Sequence, residues 1–119
     1  MTINKINLTE EKVPNFIGAW DIDHSVCIDL IDHFNSNPLI HHEGQTAGGV
    51  DKNEKDSLDL TILPKDLAKN DTPCINIYLE NLLECYKSYQ QSWPFLNDHF
   101  KTLDVGPFNI QKYNKGGHF

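Results

Sequence analysis

Apolar positions recur along this chain with two different spacings. Val26, Cys27, Leu30, Ile31 and Phe34 fall on one helical face, with Asp29, Asp32 and His33 between them; this is the i, i+4, i+8 recurrence of an amphipathic helix. Asp23 or Ser25 caps its start, and Asn37-Pro38 stops it. A second, longer helix is predicted from Thr72-Pro73, because proline suits a first helical turn. Its stripe is Ile75, Tyr78, Leu79, Leu82, Leu83 and Tyr86, and it ends near Trp93-Pro94.

Two other segments alternate with a period of two. Leu58-Asp59-Leu60-Thr61-Ile62 predicts a strand with Leu58, Leu60 and Ile62 on one face. Phe108 to Tyr113 predicts another, after the turn-forming Gly106-Pro107. Phe16 to Trp20 suits a strand or an extended lead-in. Residues 1–13 are polar with scattered Ile and Leu, and are expected to fray or to add an edge strand. Residues 41–56 carry three glycines without an apolar period and read as a loop or loose hairpin. Asn114-Lys115-Gly116-Gly117 is a turn signal, with His118-Phe119 opening a further strand. The expected fold class is α+β, in a single domain over residues 1–119.

Charge narrows the function classes. The 119 residues hold 10 basic and 17 acidic side chains, a net charge of −7, and every basic residue is Lys. An acidic chain without a guanidinium makes a poor nucleic-acid binder. No apolar run is long enough to cross a membrane, and the first residues lack a secretory signal core. Cys27, Cys74 and Cys85 are widely spaced and form no Cys-x-x-Cys pair, which predicts reduced, packed thiols in a cytoplasmic protein.

The usual catalytic constellations are missing. His41-His42 are neighbours, which on a strand point to opposite faces, and His24 and His33 are too far apart to pair on a helix. Surface or partly packed histidines are the expectation. The carboxylate pairs Asp21/Asp23, Asp29/Asp32 and Glu54/Asp56 read as solvated faces. There is no nucleophile elbow, phosphate loop or dinucleotide fingerprint. Asn109, Gln111 and Tyr113 share one strand face; three polar residues there suit a pocket wall and equally a solvent face.

The stretch Tyr113-Asn-Lys-Gly116-Gly117-His-Phe119 resembles the opening hairpin of the jelly-roll core of the Fe(II)/2-oxoglutarate-dependent dioxygenases, in the prolyl 4-hydroxylase-like branch. That hairpin carries Tyr-x-x-Gly-Gly-x-[Tyr/Phe]-x-x-His-x-[Asp/Glu], and Tyr113, Gly116, Gly117 and Phe119 match its leading half in register. Phe16 to Asp21 running into the first helix, and Lys55-Asp56-Ser57-Leu58-Asp59-Leu60, are similar to bacterial and phage members in the same order.

The resemblance implies N-terminal helices packed on the first strands of an incomplete double-stranded β-helix, or jelly roll. It implies Tyr113 in the 2-oxoglutarate pocket, as a ring that lines the cavity and a hydroxyl that donates to the cosubstrate; an aromatic packed at a strand end is the competing reading. Gln111 is the second candidate wall residue. Lys55, Ser57 and Asp59 are expected to stabilise a loop-to-strand junction. The pattern's metal ligands and its 2-oxoglutarate-gripping basic residue fall beyond Phe119, so no catalytic or metal-binding residue is assigned.

This chain is therefore expected to be the N-terminal part of a hydroxylase, cut before its iron ligands, inactive and without bound cofactor. The complete enzyme would use Fe(II), 2-oxoglutarate and, by resemblance, ascorbate, with a peptide or small-molecule substrate. Self-association through an open strand edge is expected. The alternative is a non-catalytic acidic α+β interaction domain that binds a partner by adding a strand.

Overall fold

The computed structural model describes residues 2–8, 16–67 and 71–119. Along the chain run β1 (Asn4–Ile6), β2 (Ala19–Asp21), α1 (His24–Asn35), a 3-10 turn (Pro38–Ile40), β3 (His41–Glu43), β4 (Leu58–Ile62), α2 (Pro64–Leu67), α3 (Pro73–Ser92), α4 (Leu96–His99) and β5 (Phe108–Lys112). The class is mixed α+β, with two small antiparallel sheets ordered β1-β2 and β3-β4-β5. Two compact units divide it: Met1–Leu30 with Thr72–Asp104, and Ile31–Asp71 with Val105–Phe119.

In the first unit, β1 pairs with β2 through Asn4–Asp21, Lys5–Trp20 and Ile6–Ala19. An edge strand does form within the N-terminal segment; the rest of that expectation, at residues 9–13, lies outside the described residues. Asp23 caps α1, its Oδ1 accepting from the Ser25 backbone N–H at 2.9 Å and the Ser25 hydroxyl at 2.7 Å. Those two bonds hold the Asp23 carboxyl below its ordinary acidity range. Aromatic contacts tie β2 to α3: Trp20 donates its indole N–H to Ser88 at 3.0 Å and meets the Tyr89 ring edge-on. Burial along the α3 stripe is uneven. Ile75 is fully buried, whereas Leu82 and Leu83 are exposed and the polar Asn81 and Gln90 are buried instead. Gln90 is satisfied by donating to the Phe100 and Lys101 carbonyls.

The second unit is built on β4, which has a neighbour on each side. Its partners are His41–Leu60, His42–Asp59 and Glu43–Leu58 in β3, and Leu58–Lys112 through Ile62–Phe108 in β5. Paired residues share a face, so His41, Leu60, Ile62, Phe108 and Ile110 lie on one side. Leu60 and Ile62 are buried there, while Leu58, at the end of β4, is exposed. The last turns of α1 meet this side: the Phe34 ring stacks on His41 at 4.0 Å, and the His41 Nε2 lies 2.7 Å from the Phe34 carbonyl.

The loose-hairpin alternative for residues 41–56 is the one observed: residues 41–43 form β3, paired antiparallel with β4, and in the connection Thr46 and Gly49 bond each other in a tight turn. Two expectations need correction. Two one-turn helices, α2 and α4, join the two predicted ones. His118-Phe119 does not start a strand. Asn114–Gly117 does turn, with Gly116 at φ 85°, and the His118 carbonyl accepts one bond, from Asp56 N–H at 2.7 Å.

Leu60 is the central apolar contact of this unit. Leu60→Ala should cost about 2–5 kcal/mol in urea unfolding, and Leu58→Ala a small fraction of that. Because the Asp23 carboxyl is more acidic when folded, its contribution is complete above the ordinary carboxylate range and is lost as pH falls below it. Asp23→Asn should keep the cap and remove this acid dependence, read by helical circular dichroism against pH.

Candidate functional site

The opposite side of the β3-β4-β5 sheet is polar throughout: His42 from β3, Asp59 and Thr61 from β4, and Asn109 and Gln111 from β5. Its centre is a carboxylate removed from water. Asp59 is 1% exposed and Lys55 5%, and Lys55 Nζ stands 3.5 Å from Asp59 Oδ2. The spacing explains the pairing. Lys55, Ser57 and Asp59 alternate along an extended segment, so all three side chains leave it on one side. The Ser57 hydroxyl donates to Asp59 Oδ1 at 2.8 Å. The amide groups of Asn109 and Gln111 each donate to Asp59 Oδ2 at 3.4 Å.

Buried charges require such partners, since an unpaired one costs several kcal/mol. Two backbone features make room for them. Gly44 N–H donates to the Ser57 carbonyl at 3.0 Å, and a Cβ at Gly44 would lie 2.1 Å from Ser57 Oγ and 2.9 Å from Lys55 Cε. Any larger residue there would oblige the Ser57 hydroxyl and the Lys55 stem to shift. On its other side, the Lys55 ammonium sits 5.2 Å from the centroid of the Phe119 ring, within cation–π range.

The two candidate wall residues are brought together. Tyr113, 38% exposed, donates its hydroxyl to Gln111 Oε1 at 3.5 Å, and Gln111 in turn donates to Asp59. Gln111 also lines an open cavity of about 360 Å³ with Ile31, Phe34, Asn35, Ile110 and Lys112; Tyr113 is not among its lining residues. At the far end of the face, His42 Nε2 meets Thr61 Oγ1 at 2.8 Å, and Thr61 donates to Asn109 Oδ1 at 2.8 Å.

Lys55, Ser57 and Asp59 do hold the loop to the start of β4, as expected, but they also reach across to the strand that bears Gln111. That second role was missed. The available signal was Lys-x-Ser-x-Asp in strand period, which places opposite charges on one side of a single segment.

Comparison with protein-family models, with curated proteins and with solved structures finds no match to this chain.

Its fit to the groups that the dioxygenase resemblance implies can be judged from the side chains. Among the described residues no three His, Cys, Asp or Glu stand together to hold a metal ion, so these residues by themselves do not fit Fe(II). For 2-oxoglutarate the fit is to one wall. The Tyr113 hydroxyl makes only a bond at the outer limit of length and gives it up cheaply to a carboxylate, a stronger acceptor. Lys55 is already engaged by Asp59. Elsewhere, burial pushes the Cys74 and Cys85 thiols up in pKa, which makes them poor nucleophiles.

Removing one member of the buried pair leaves the other charge uncompensated. Asp59→Ala should cost about 3–5 kcal/mol in urea unfolding. The double replacement Lys55→Met with Asp59→Leu should recover most of that loss. Gly44→Ala should destabilise as well, because its methyl group would push first on the Ser57 hydroxyl that donates to Asp59 and then on the Lys55 stem.

Proposed function

We propose that this chain is the N-terminal portion of an Fe(II)- and 2-oxoglutarate-dependent hydroxylase of the prolyl 4-hydroxylase-like branch. In this reading β3-β4-β5 begins the jelly roll, and the polar face is one wall of the cosubstrate pocket. One observation carries it. Two motif stretches far apart in sequence, Lys55-x-Ser57-x-Asp59 and Gln111-x-Tyr113, join in one hydrogen-bonded face, with Phe119 of the second motif over Lys55 of the first.

In the complete enzyme, iron and 2-oxoglutarate would supply the oxidising chemistry. The share of this chain is positional. Tyr113 turns its O–H from Gln111 to a cosubstrate carboxylate, Gln111 forms the adjoining wall, and the dehydrated Lys55–Asp59 pair keeps that wall rigid. In this reading the substrate of the complete enzyme is a peptide or a small molecule.

The decisive experiment is to read the coding frame past the codon for Phe119. A His three residues on, with an acidic residue two further, is expected; a continuing frame without them overturns the reading. In the product of that frame, Tyr113→Phe should raise KM for 2-oxoglutarate about tenfold, the worth of one charge-assisted hydrogen bond, with kcat little changed. Calorimetry of the 119-residue chain with Fe(II), Mn(II) or Co(II) should find no micromolar 1:1 site, and finding one would contradict the ligand assignment.

The second reading, an interaction domain that accepts a strand, is favoured by the outer edge of β5. That edge has no strand partner among the described residues, and the cavity lined by Ile31, Phe34 and Ile110 flanks it. Sedimentation separates the two. Concentration-dependent self-association is expected of an open barrel edge, and a strictly monomeric, cooperatively unfolding chain would favour the interaction domain.

A further inference from the structure

We propose that Asp59 is the positioning residue of the polar face, fixing which hydrogen-bonding atoms that face offers to a ligand. A carboxylate accepts hydrogen bonds and cannot donate them. The side-chain amides of Asn109 and Gln111 both lie 3.4 Å from Asp59 Oδ2, so each presents its NH2 group there; turned over, each would set an amide oxygen against a negative charge. Their oxygens therefore point away from Asp59, and the order of donation follows outward in both directions.

Toward β3, Asn109 Oδ1 accepts the one hydroxyl proton of Thr61 at 2.8 Å. The Thr61 oxygen is then an acceptor for its other neighbour, His42 Nε2, also at 2.8 Å. His42 Nε2 is thus placed as a donor by a carboxylate with which it shares no direct hydrogen bond; His42 Nδ1 lies 3.2 Å from the Glu43 carbonyl, a longer contact that competes for the proton of the neutral ring and takes it when the Thr61 oxygen is lost. Toward the C-terminal end, Gln111 Oε1 accepts from the Tyr113 hydroxyl at 3.5 Å. Donation runs inward to Asp59 from both ends of the face.

This order selects the ligand. Beside Tyr113 the face offers a carbonyl oxygen, Gln111 Oε1, and not an amide N–H. The Tyr113 O–H is the donor available to a carboxylate, and Gln111 requires a partner that brings an N–H or O–H. Resting on the dioxygenase reading, this deepens it: a cosubstrate carboxylate takes Tyr113, and the substrate is of a class with a donor group, such as an amino or amide N–H, for Gln111. The hydrogen-bond order itself needs neither metal nor cosubstrate, so its test stands apart from that reading.

The test is nitrogen-15 NMR of the 119-residue chain near neutral pH, with His42 ring nitrogens and the Asn109 and Gln111 side-chain amides assigned. In the native sequence, the neutral His42 ring should carry its proton on Nε2, and the Gln111 amide protons should exchange slowly. Thr61→Val should abolish the His42 preference and leave the Gln111 amide unchanged. The double replacement Asp59→Leu with Lys55→Met, which removes the acceptor altogether, should abolish both. A His42 ring indifferent to Thr61→Val, or a Gln111 amide indifferent to the double replacement, overturns the proposal. Should the double replacement fail to fold, Gln111→Glu decides by urea unfolding. It sets a second carboxylate against Asp59, so it should destabilise at neutral pH and recover on acidification; a variant as stable as the native chain at neutral pH overturns the assignment.

Discussion

The second unit depends on one interaction, the ion pair of Lys55 and Asp59 held almost entirely out of water. An isolated charge in that position would be prohibitive, so the carboxylate is met by polar, aimed groups and the ammonium also by the face of the Phe119 ring. Ser57 donates to one carboxylate oxygen, and Asn109 and Gln111 approach the other. The sheet consequently has two unlike sides. One is sealed by Leu60, Ile62 and the Phe34–His41 stack, and the other is a hydrogen-bonded lattice centred on a single acid. Register joins them, because a slip of one residue between β4 and β5 would exchange the sides and place Asp59 against apolar side chains.

Much of the secondary structure was legible because it follows from local period. The alternation of residues 58–62 coincides with β4, and the stripe from Val26 to Phe34 falls within α1. The Asp23 cap and the Gly116 turn were also readable, each resting on the chemistry of one or two residues. Residues 41–43 were legible only as part of a loop or a loose hairpin. His-His-Glu has no β pattern, and it is extended only because β4, some fifteen residues on, supplies its partners. The α3 stripe shows the opposite failure: Leu82 and Leu83 have the right spacing, but burial is granted by a neighbour and cannot be read from period.

The candidate site was half legible for the same reason. Gln111 and Tyr113 could be placed on one face by counting, and a polar face of that kind is compatible with a wall or with solvent. The structure leaves Asn109, Gln111 and Tyr113 exposed while Asp59 beneath them is buried. An acid at alternate positions of a strand ordinarily faces water, and this one is covered by side chains about fifty residues away. Only the Lys-x-Ser-x-Asp spacing hinted at it, through opposite charges on one side of a short segment.

Gly44 carries a consequence larger than its size. A β-carbon there would meet the Ser57 hydroxyl first, at 2.1 Å, and the Lys55 stem next, at 2.9 Å. The hydroxyl and the cation that hold the buried acid are thus both crowded from one backbone position at the exit of an outer strand. Evolution or engineering could exchange Asn109 or Thr61 and leave these two groups where they are, whereas a methyl group at position 44 would oblige both to shift.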